Sequence, residues 1–175
     1  MRISTSANGP FPTNHIDWPD ILGELSSIFR SVEPDILGFN QVNFYADKIK
    51  LSFYSDKLYK SPVTHPIVFL NNILIPDIET IGVMKLEVML RRSEFRDYYD
   101  IFSILREGIT LNSMIKRATQ YSNHILKTRD ILNFISNGNN FPKERQFDLL
   151  NPKYSVSEKN IEDFIKILIR KEYLI

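Results

Sequence analysis

A helical stretch over residues 78–92 carries basic residues on the face where a core-facing helix needs apolar ones. Lys85 and Arg92, seven positions apart, fall on the same side of this helix. Thr80 and Glu87 fall on the other side and are predicted to face solvent. At about 100° per residue, the apolar side that includes the two cations is formed by Ile78, Ile81, Val88 and Met89.

The next helical stretch, residues 94–106, has the complementary feature. Arg96, Asp100 and Ser103 form a narrow polar strip along it. Asp97 lies apart from this strip, and its carboxylate is predicted to be buried. Apolar side chains cover most of the remaining circumference, namely Phe95, Tyr98, Tyr99, Ile101, Phe102, Ile104 and Leu105.

Charges in these positions restrict how the two helices can pack. An ion buried alone is costly, so each charge needs a partner or a shift to its neutral form. Basic residues of one helix and acidic residues of the next would satisfy this need as a structural ion-pair network. The same cations would also suit phosphate oxygens, which arginine binds through its planar fork and lysine as a point charge. The pattern leaves both interpretations open.

Composition excludes several classes of protein. The formal net charge of +1 gives no broad positive surface for duplex DNA or an acidic membrane. The absence of cysteine excludes disulfides, thiolate zinc sites and a cysteine nucleophile. No apolar run reaches the roughly 18 residues of a membrane span, and no secretory signal is visible. We therefore expect a cytoplasmic protein that binds neither duplex DNA nor a membrane, with no metal-ligand set among its histidines.

The first part of the chain mixes helix and strand. The spacing predicts a helix over residues 17–32. Apolar and polar residues then alternate over residues 49–53, which predicts a half-buried strand. Residues 42–45 are its expected hairpin partner, with the turn near Ala46-Asp47.

The pattern becomes mainly helical after two short apolar segments. Residues 61–76 predict one or two short strands, broken by prolines and asparagines. Ser93 is the expected cap of the helix over 94–106, and Gly108 is its expected stop. The whole pattern predicts an α+β fold with a helical bundle packed on it. The further helices are expected near residues 111–122, 124–136 and 158–172.

The charged residues at the helix joint also resemble a family signature. The segments "IKLSFYS" and "ILIP" resemble the strands that precede the signature, and the likeness covers residues 39–108 well. The signature is K-x6-R-x3-[RK]-D-x2-D, typical of the nucleotidyltransferase-like AbiEii/AbiGii toxin family, and the matching residues are Lys85, Arg92, Arg96, Asp97 and Asp100.

This resemblance implies a fold and an activity. The fold would be a small mixed sheet flanked by helices in residues 1–108, incomplete at its start, with a helical C-terminal region in residues 109–175. The activity would be transfer of a nucleotide from a nucleoside triphosphate, using Mg²⁺. The protein would act in a bacterial toxin–antitoxin or phage-defence pair.

The resemblance also implies roles for the five matching residues. Lys85 and Arg92 would contact the triphosphate, and Arg96 would support them as a nucleotide-binding residue. Asp97 and Asp100 would be polar or catalytic residues of the same cleft.

The chain departs from the family pattern at the metal-binding positions. The family has a Gly-Gly-[Ser/Thr] turn followed by R-x-[ST]-x-D-x-D, whose aspartates hold Mg²⁺. The chain begins too late for the glycine turn, and "RISTSAN" resembles the second motif with Ser6 and Asn8 in place of the aspartates. Ser52, on the neighbouring strand, supplies no carboxylate either. Because neutral oxygens hold Mg²⁺ poorly, these residues predict a degenerate active site.

Two functions follow from the sequence. One is binding of a nucleoside triphosphate, with metal-dependent transfer left undecided. The other is a non-catalytic interaction module, in which the charged cluster is structural and the chain binds an antitoxin. A sheet without its first strand also has an edge that needs cover, which a partner strand or a homo-oligomer would provide.

Overall fold

The computed structural model describes residues 16–38, 41–54, 66–69, 73–122 and 124–173. The chain divides into two compact units, Met1–Leu58 and Tyr59–Ile175. Helices occur together with strands, which confirms the predicted α+β class. The strand pairs in the described residues are antiparallel.

The first unit is a three-stranded sheet packed with one helix. The strand order is β1-β2-β3. Leu25 of the helix forms a small buried core with Val42 and Phe44 of the central strand. The elements are α1 (Trp18–Ile28), β1 (Val32–Leu37), β2 (Gln41–Ala46) and β3 (Ile49–Tyr54).

Two features of this unit differ from the sequence prediction. The first helix ends at Ile28 rather than near residue 32, and β1 follows it as an edge strand that tolerates Pro34. The predicted hairpin is confirmed, but its turn is Asp47-Lys48, with φ angles of 47° and 73°. This backbone is unusual for residues other than glycine. The Asp47 carboxylate helps to hold it by accepting hydrogen bonds from the backbone N–H groups of Arg30 and Ser31.

The second unit contains a short hairpin and a group of helices. The two short strands confirm the prediction for residues 61–76, and Gly108 ends α3 with a φ of 95°. In the described part of the chain, no helix is long and apolar enough to cross a bilayer. The elements are β4 (Ile67–Phe69), β5 (Ile73–Ile75), α2 (Ile78–Arg91), α3 (Phe95–Arg106), α4 (Leu111–Tyr121), α5 (Thr128–Ile135) and α6 (Glu158–Tyr173).

Two helix starts in this unit differ from the prediction. Ser93 does not cap α3, because the N-cap residue is Glu94, whose side chain makes no capping hydrogen bond. The helix expected from residue 124 begins at Thr128, since His124 has a φ of 63° that an α-helix does not accept.

One hydrophobic core joins the helices of the second unit. Its largest fully buried side chain is Tyr98, which stacks on Phe141 and donates a hydrogen bond to the Ile135 carbonyl oxygen. The core includes residues on both sides of position 108, so the division into residues 1–108 and 109–175 stays a prediction. Representative buried members are Leu86, Ile104, Met114, Ile131 and Ile161.

The buried face of α2 is rotated from the predicted one. Thr80 and Glu87 are buried, whereas Ile78 and Ile81 are exposed. The predicted apolar face did not include Val83 and Leu86, which lie in the core. Both buried polar groups have partners: Thr80 Oγ1 accepts a hydrogen bond of 2.6 Å from Arg117 of α4, and Glu87 pairs with Arg91 of the same helix.

Gly138 lies in the loop after α5, where this loop packs closely against α6. A Cβ at this position would lie 2.8 Å from the Glu158 carbonyl oxygen, which is closer than van der Waals contact. We therefore expect Gly138→Ala to lower the free energy of unfolding by about 1–3 kcal/mol. The measurement is urea denaturation followed by far-UV circular dichroism.

Gly23→Ala is the matched control for this prediction. Nothing lies within 4 Å of a Cβ at Gly23, which sits inside α1. Alanine should leave the stability unchanged or raise it by up to about 1 kcal/mol, because it is the better helix former. Equal stability of the two variants would contradict the packing described for Gly138.

Candidate functional site

A cluster of charged residues lies where α2 meets α3. Its centre is Asp97, whose side chain is 0% exposed. Asp97 Oδ1 accepts a hydrogen bond from Lys85 Nζ at 2.8 Å, and Oδ2 accepts one from Arg92 Nε at 3.0 Å. Arg92 Nη2 also approaches Oδ1 at 3.4 Å. The predicted burial of Asp97 is confirmed, and one carboxylate connects both cations.

Helix ends explain why these charges meet. Helix α2 ends at Arg91, and Arg92 follows as its C-cap with extended backbone angles. Asp97 lies in the first turn of α3. The C-terminal end of a helix favours a cation and the N-terminal end favours an anion. The joint therefore supplies a favourable field to Arg92 and to Asp97 at the same time.

Three cations form the outer part of the cluster, and we call Lys85, Arg92 and Arg96 the cation rim. Their side chains remain 27%, 46% and 53% exposed. Asp100 Oδ2 lies 2.6 Å from Lys85 Nζ, and Glu94 Oε2 lies 2.6 Å from Arg96 Nε. Each rim cation thus has an acidic partner, yet each also keeps a surface that a ligand can reach.

The mutual pairing keeps the cluster ionised. Burial alone would raise the pKa of Asp97, but the hydrogen bonds and charges of Lys85 and Arg92 outweigh it and hold that pKa below its ordinary value. Burial alone would lower the pKa of Lys85, but its bonds to Asp100 and Asp97 hold that pKa above the ordinary one. The hydrogen bond to Asp97 is also the main cause of a raised pKa for Arg92.

The structure places four of the five signature residues in direct contact, and Arg96 joins them through Glu94. Sequence reasoning missed Glu94, which pairs with Arg96 and lies 3.8 Å from Arg92 Nε. The available signal was an acidic residue beside Ser93, at the joint where the cations needed partners. The sequence pattern favours Ser93 as the cap and indicates no role for Glu94.

The described residues do not suit Mg²⁺. Both oxygens of Asp97 already accept hydrogen bonds from cations, and Asp100 lies against the Lys85 ammonium. A divalent cation beside these groups would be repelled by Lys85 and Arg92. Within the described ranges, no three His, Asp or Glu residues are grouped to hold a metal. Ser6 and Asn8, which the sequence resemblance predicts at metal-binding positions, lie outside the described residues.

Replacing Asp97 should destabilise the second unit strongly. Asp97→Asn leaves Lys85 and Arg92 without the buried anion between them, and breaking a buried pair costs about 3–5 kcal/mol. Asp100→Asn is the matched control: its side chain is 42% exposed, so we expect a loss below about 1 kcal/mol. Urea denaturation at neutral pH measures both values, and equal small losses would show that Asp97 is not the anchor.

The cost of Asp97→Asn should also depend on pH. A carboxylate with a lowered pKa in the folded protein stabilises it above the unfolded pKa, about 3.9 for aspartate. That stabilisation is lost as the pH falls from this value through the lower folded pKa. The difference in unfolding free energy between wild type and Asp97→Asn should therefore shrink below about pH 4. A difference that stays constant or grows on acidification would contradict the assignment.

Comparison with known proteins agrees with the charged signature. The family described as nucleotidyl transferase AbiEii toxin, type IV toxin–antitoxin system, matches residues 26–172. This match extends the resemblance seen at residues 39–108 to the C-terminal helices. No curated protein and no solved structure matches the chain. Because the family match covers most of the sequence, the chain belongs to the AbiEii family of nucleotidyl transferase toxins of type IV toxin–antitoxin systems.

Proposed function

We propose that the cation rim of Lys85, Arg92 and Arg96 binds the polyphosphate of a nucleoside triphosphate. The observation that supports this proposal is the buried Asp97 carboxylate, which fixes two cations while leaving 27% and 46% of their side chains exposed. Cations held in place lose little side-chain freedom on binding, which favours affinity. Arginine and lysine are also the residues that suit phosphate oxygens.

Within this proposal Asp97 is a positioning residue rather than a catalytic one. It is fully buried, and its two oxygens accept hydrogen bonds from Lys85 and Arg92. A general base must reach a proton of the substrate, and a buried carboxylate occupied on both oxygens is badly placed for that. Asp100 is partly exposed and pairs with Lys85, so its role is to compete with the ligand for this lysine.

The acidic partners of the cation rim lower its affinity for a triphosphate, because they compete with phosphate for the same cations. The charges of Lys85, Arg92 and Arg96 are matched by those of Glu94, Asp97 and Asp100, which leaves no surplus positive charge. A triphosphate must therefore displace the carboxylates of Glu94 and Asp100, whose side chains are 31% and 42% exposed. Asp97 stays in place beneath the rim throughout.

We also propose that this chain binds the nucleotide without metal-dependent transfer. The support is the chemistry of the described acids, which face cations and do not suit Mg²⁺. When present, Mg²⁺ neutralises phosphate charge and positions the reacting oxygens in this class of reaction. We propose the cytoplasm as the compartment, because the chain belongs to a toxin–antitoxin family.

The binding proposal is tested by changing the rim without touching Asp97. Arg96 pairs with Glu94 and is half exposed, so Arg96→Gln should keep the fold and weaken triphosphate binding about tenfold, the effect of about 1.4 kcal/mol. Glu94→Gln should tighten binding about threefold to fivefold, because it frees Arg96 from a surface ion pair. Titration calorimetry with ATP, GTP, CTP and UTP, with and without Mg²⁺, measures these changes.

Arg145→Gln is the control, since Arg145 is exposed and lies outside the rim. It should leave the dissociation constants unchanged. No binding below millimolar concentration, or weaker binding by Glu94→Gln, would rule out the proposed site. Transfer is followed separately with labelled triphosphate, using RNA, protein and the chain itself as acceptors. Label incorporation that needs Mg²⁺ would overturn the proposal that this chain does not transfer.

A second candidate function, binding of a protein partner, is favoured by apolar side chains on the short hairpin. Ile67, Val68 and Phe69 of β4 are all exposed, at 52%, 66% and 49%. An isolated two-stranded hairpin is marginal in water, so an antitoxin or a second copy of the chain would stabilise it.

Val68→Asp is the test of this second function. It should weaken association with purified antitoxin, or self-association, at least tenfold, whereas Leu149→Asp should not. Leu149 is the matched control because it is an equally apolar residue, 82% exposed at another place in the same unit. Analytical ultracentrifugation measures both equilibria, and equal behaviour of the two variants would exclude β4 as the contact.

A further inference from the structure

A groove between α5 and α6 lies apart from the charged cluster and shares no residue with it. It encloses about 610 Å³. Leu132 and Ile169 form its apolar floor, and both pack against the hydrophobic core beneath. The polar and charged residues that complete the lining are Thr128, Arg129, Asn133, Ser136, Lys166 and Arg170.

The charge of this groove is positive on both helices. Arg129 comes from α5, and Arg170 and Lys166 come from α6. Lys166 is paired with Glu162 at 2.6 Å. Arg129 and Arg170 have no acidic side chain within ion-pair distance in the part of the chain that the structure describes. Two unpaired arginines that face one groove from two helices favour an anionic ligand there.

The spacing of the lining residues indicates the shape of that ligand. On α5 the lining positions run from Arg129 through Leu132 and Asn133 to Ser136, which is one face over two turns. On α6 Lys166 and Arg170 are one turn apart, with Ile169 between them on the same face. Two helical ridges with an apolar floor form the kind of groove into which a third helix packs.

We propose that the α5–α6 groove binds an acidic amphipathic helix of a protein partner. Apolar residues of that helix would cover Leu132 and Ile169, and its carboxylates would pair with Arg129 and Arg170. A nucleic-acid strand is the less suitable anion, because strand-binding grooves use aromatic side chains to stack bases. The groove lining contains no aromatic residue.

Fluorescence anisotropy with a designed probe tests this proposal. The probe is a labelled helical peptide of about 15 residues, long enough to form a helix, with leucines on one face and glutamates elsewhere. Three labelled controls are a scrambled peptide of the same composition, a peptide with lysine in place of glutamate, and a single-stranded RNA. Inorganic phosphate is tested as an unlabelled competitor. We expect the full-length chain to bind the acidic amphipathic peptide at least tenfold more tightly than any control.

Charge variants connect this binding to the groove. The double variant Arg129→Gln, Arg170→Gln should weaken peptide binding at least tenfold, whereas Arg145→Gln should change it less than twofold. Circular dichroism checks that the fold persists in each variant, and Leu132→Ala provides an independent change at the groove floor that should also weaken binding. Equal binding of the scrambled peptide, tighter binding of RNA, or an affinity that these variants do not alter would overturn the proposal.

Discussion

The joint between α2 and α3 depends on one buried carboxylate. Asp97 is inaccessible to solvent, and it is tolerated there because Lys85 and Arg92 donate hydrogen bonds to its two oxygens. The arrangement is mutual, since the same carboxylate fixes two long cationic side chains that would otherwise sample many rotamers. The joint therefore holds α2 against α3 and sets the position of the cations that a ligand would contact.

The structural and functional interpretations of this cluster are compatible. The inner layer, centred on Asp97, is an ion-pair network of the kind that stabilises a fold. The outer layer is partly exposed, and its acids Glu94 and Asp100 lie where an incoming phosphate would compete with them. The described carboxylates, however, serve the cation rim and do not form a metal-binding group.

Much of the site could be predicted from the sequence, but less of the packing around it could. Periodicity and charge spacing were enough to place Asp97 in the interior and to bring it together with Lys85 and Arg92. The buried face of α2 differs from the predicted one in part because Thr80 accepts a hydrogen bond from Arg117 of α4, and a helical wheel contains no partners from other helices. Glu87 pairs within α2 itself, with Arg91 one turn later. The Asp47-Lys48 turn was misplaced for a similar reason: the distant N–H groups of Arg30 and Ser31 support its backbone.

The most direct measurement is the titration of the Asp97 side chain itself. Carbon-13 NMR of the carboxyl groups, with the Asp97 resonance identified by its loss in Asp97→Asn, follows this titration without unfolding the protein. Paired with two cations, Asp97 should titrate below the ordinary aspartate value of about 3.9. A midpoint at or above that value would mean that burial dominates and that Lys85 and Arg92 do not hold the carboxylate as described.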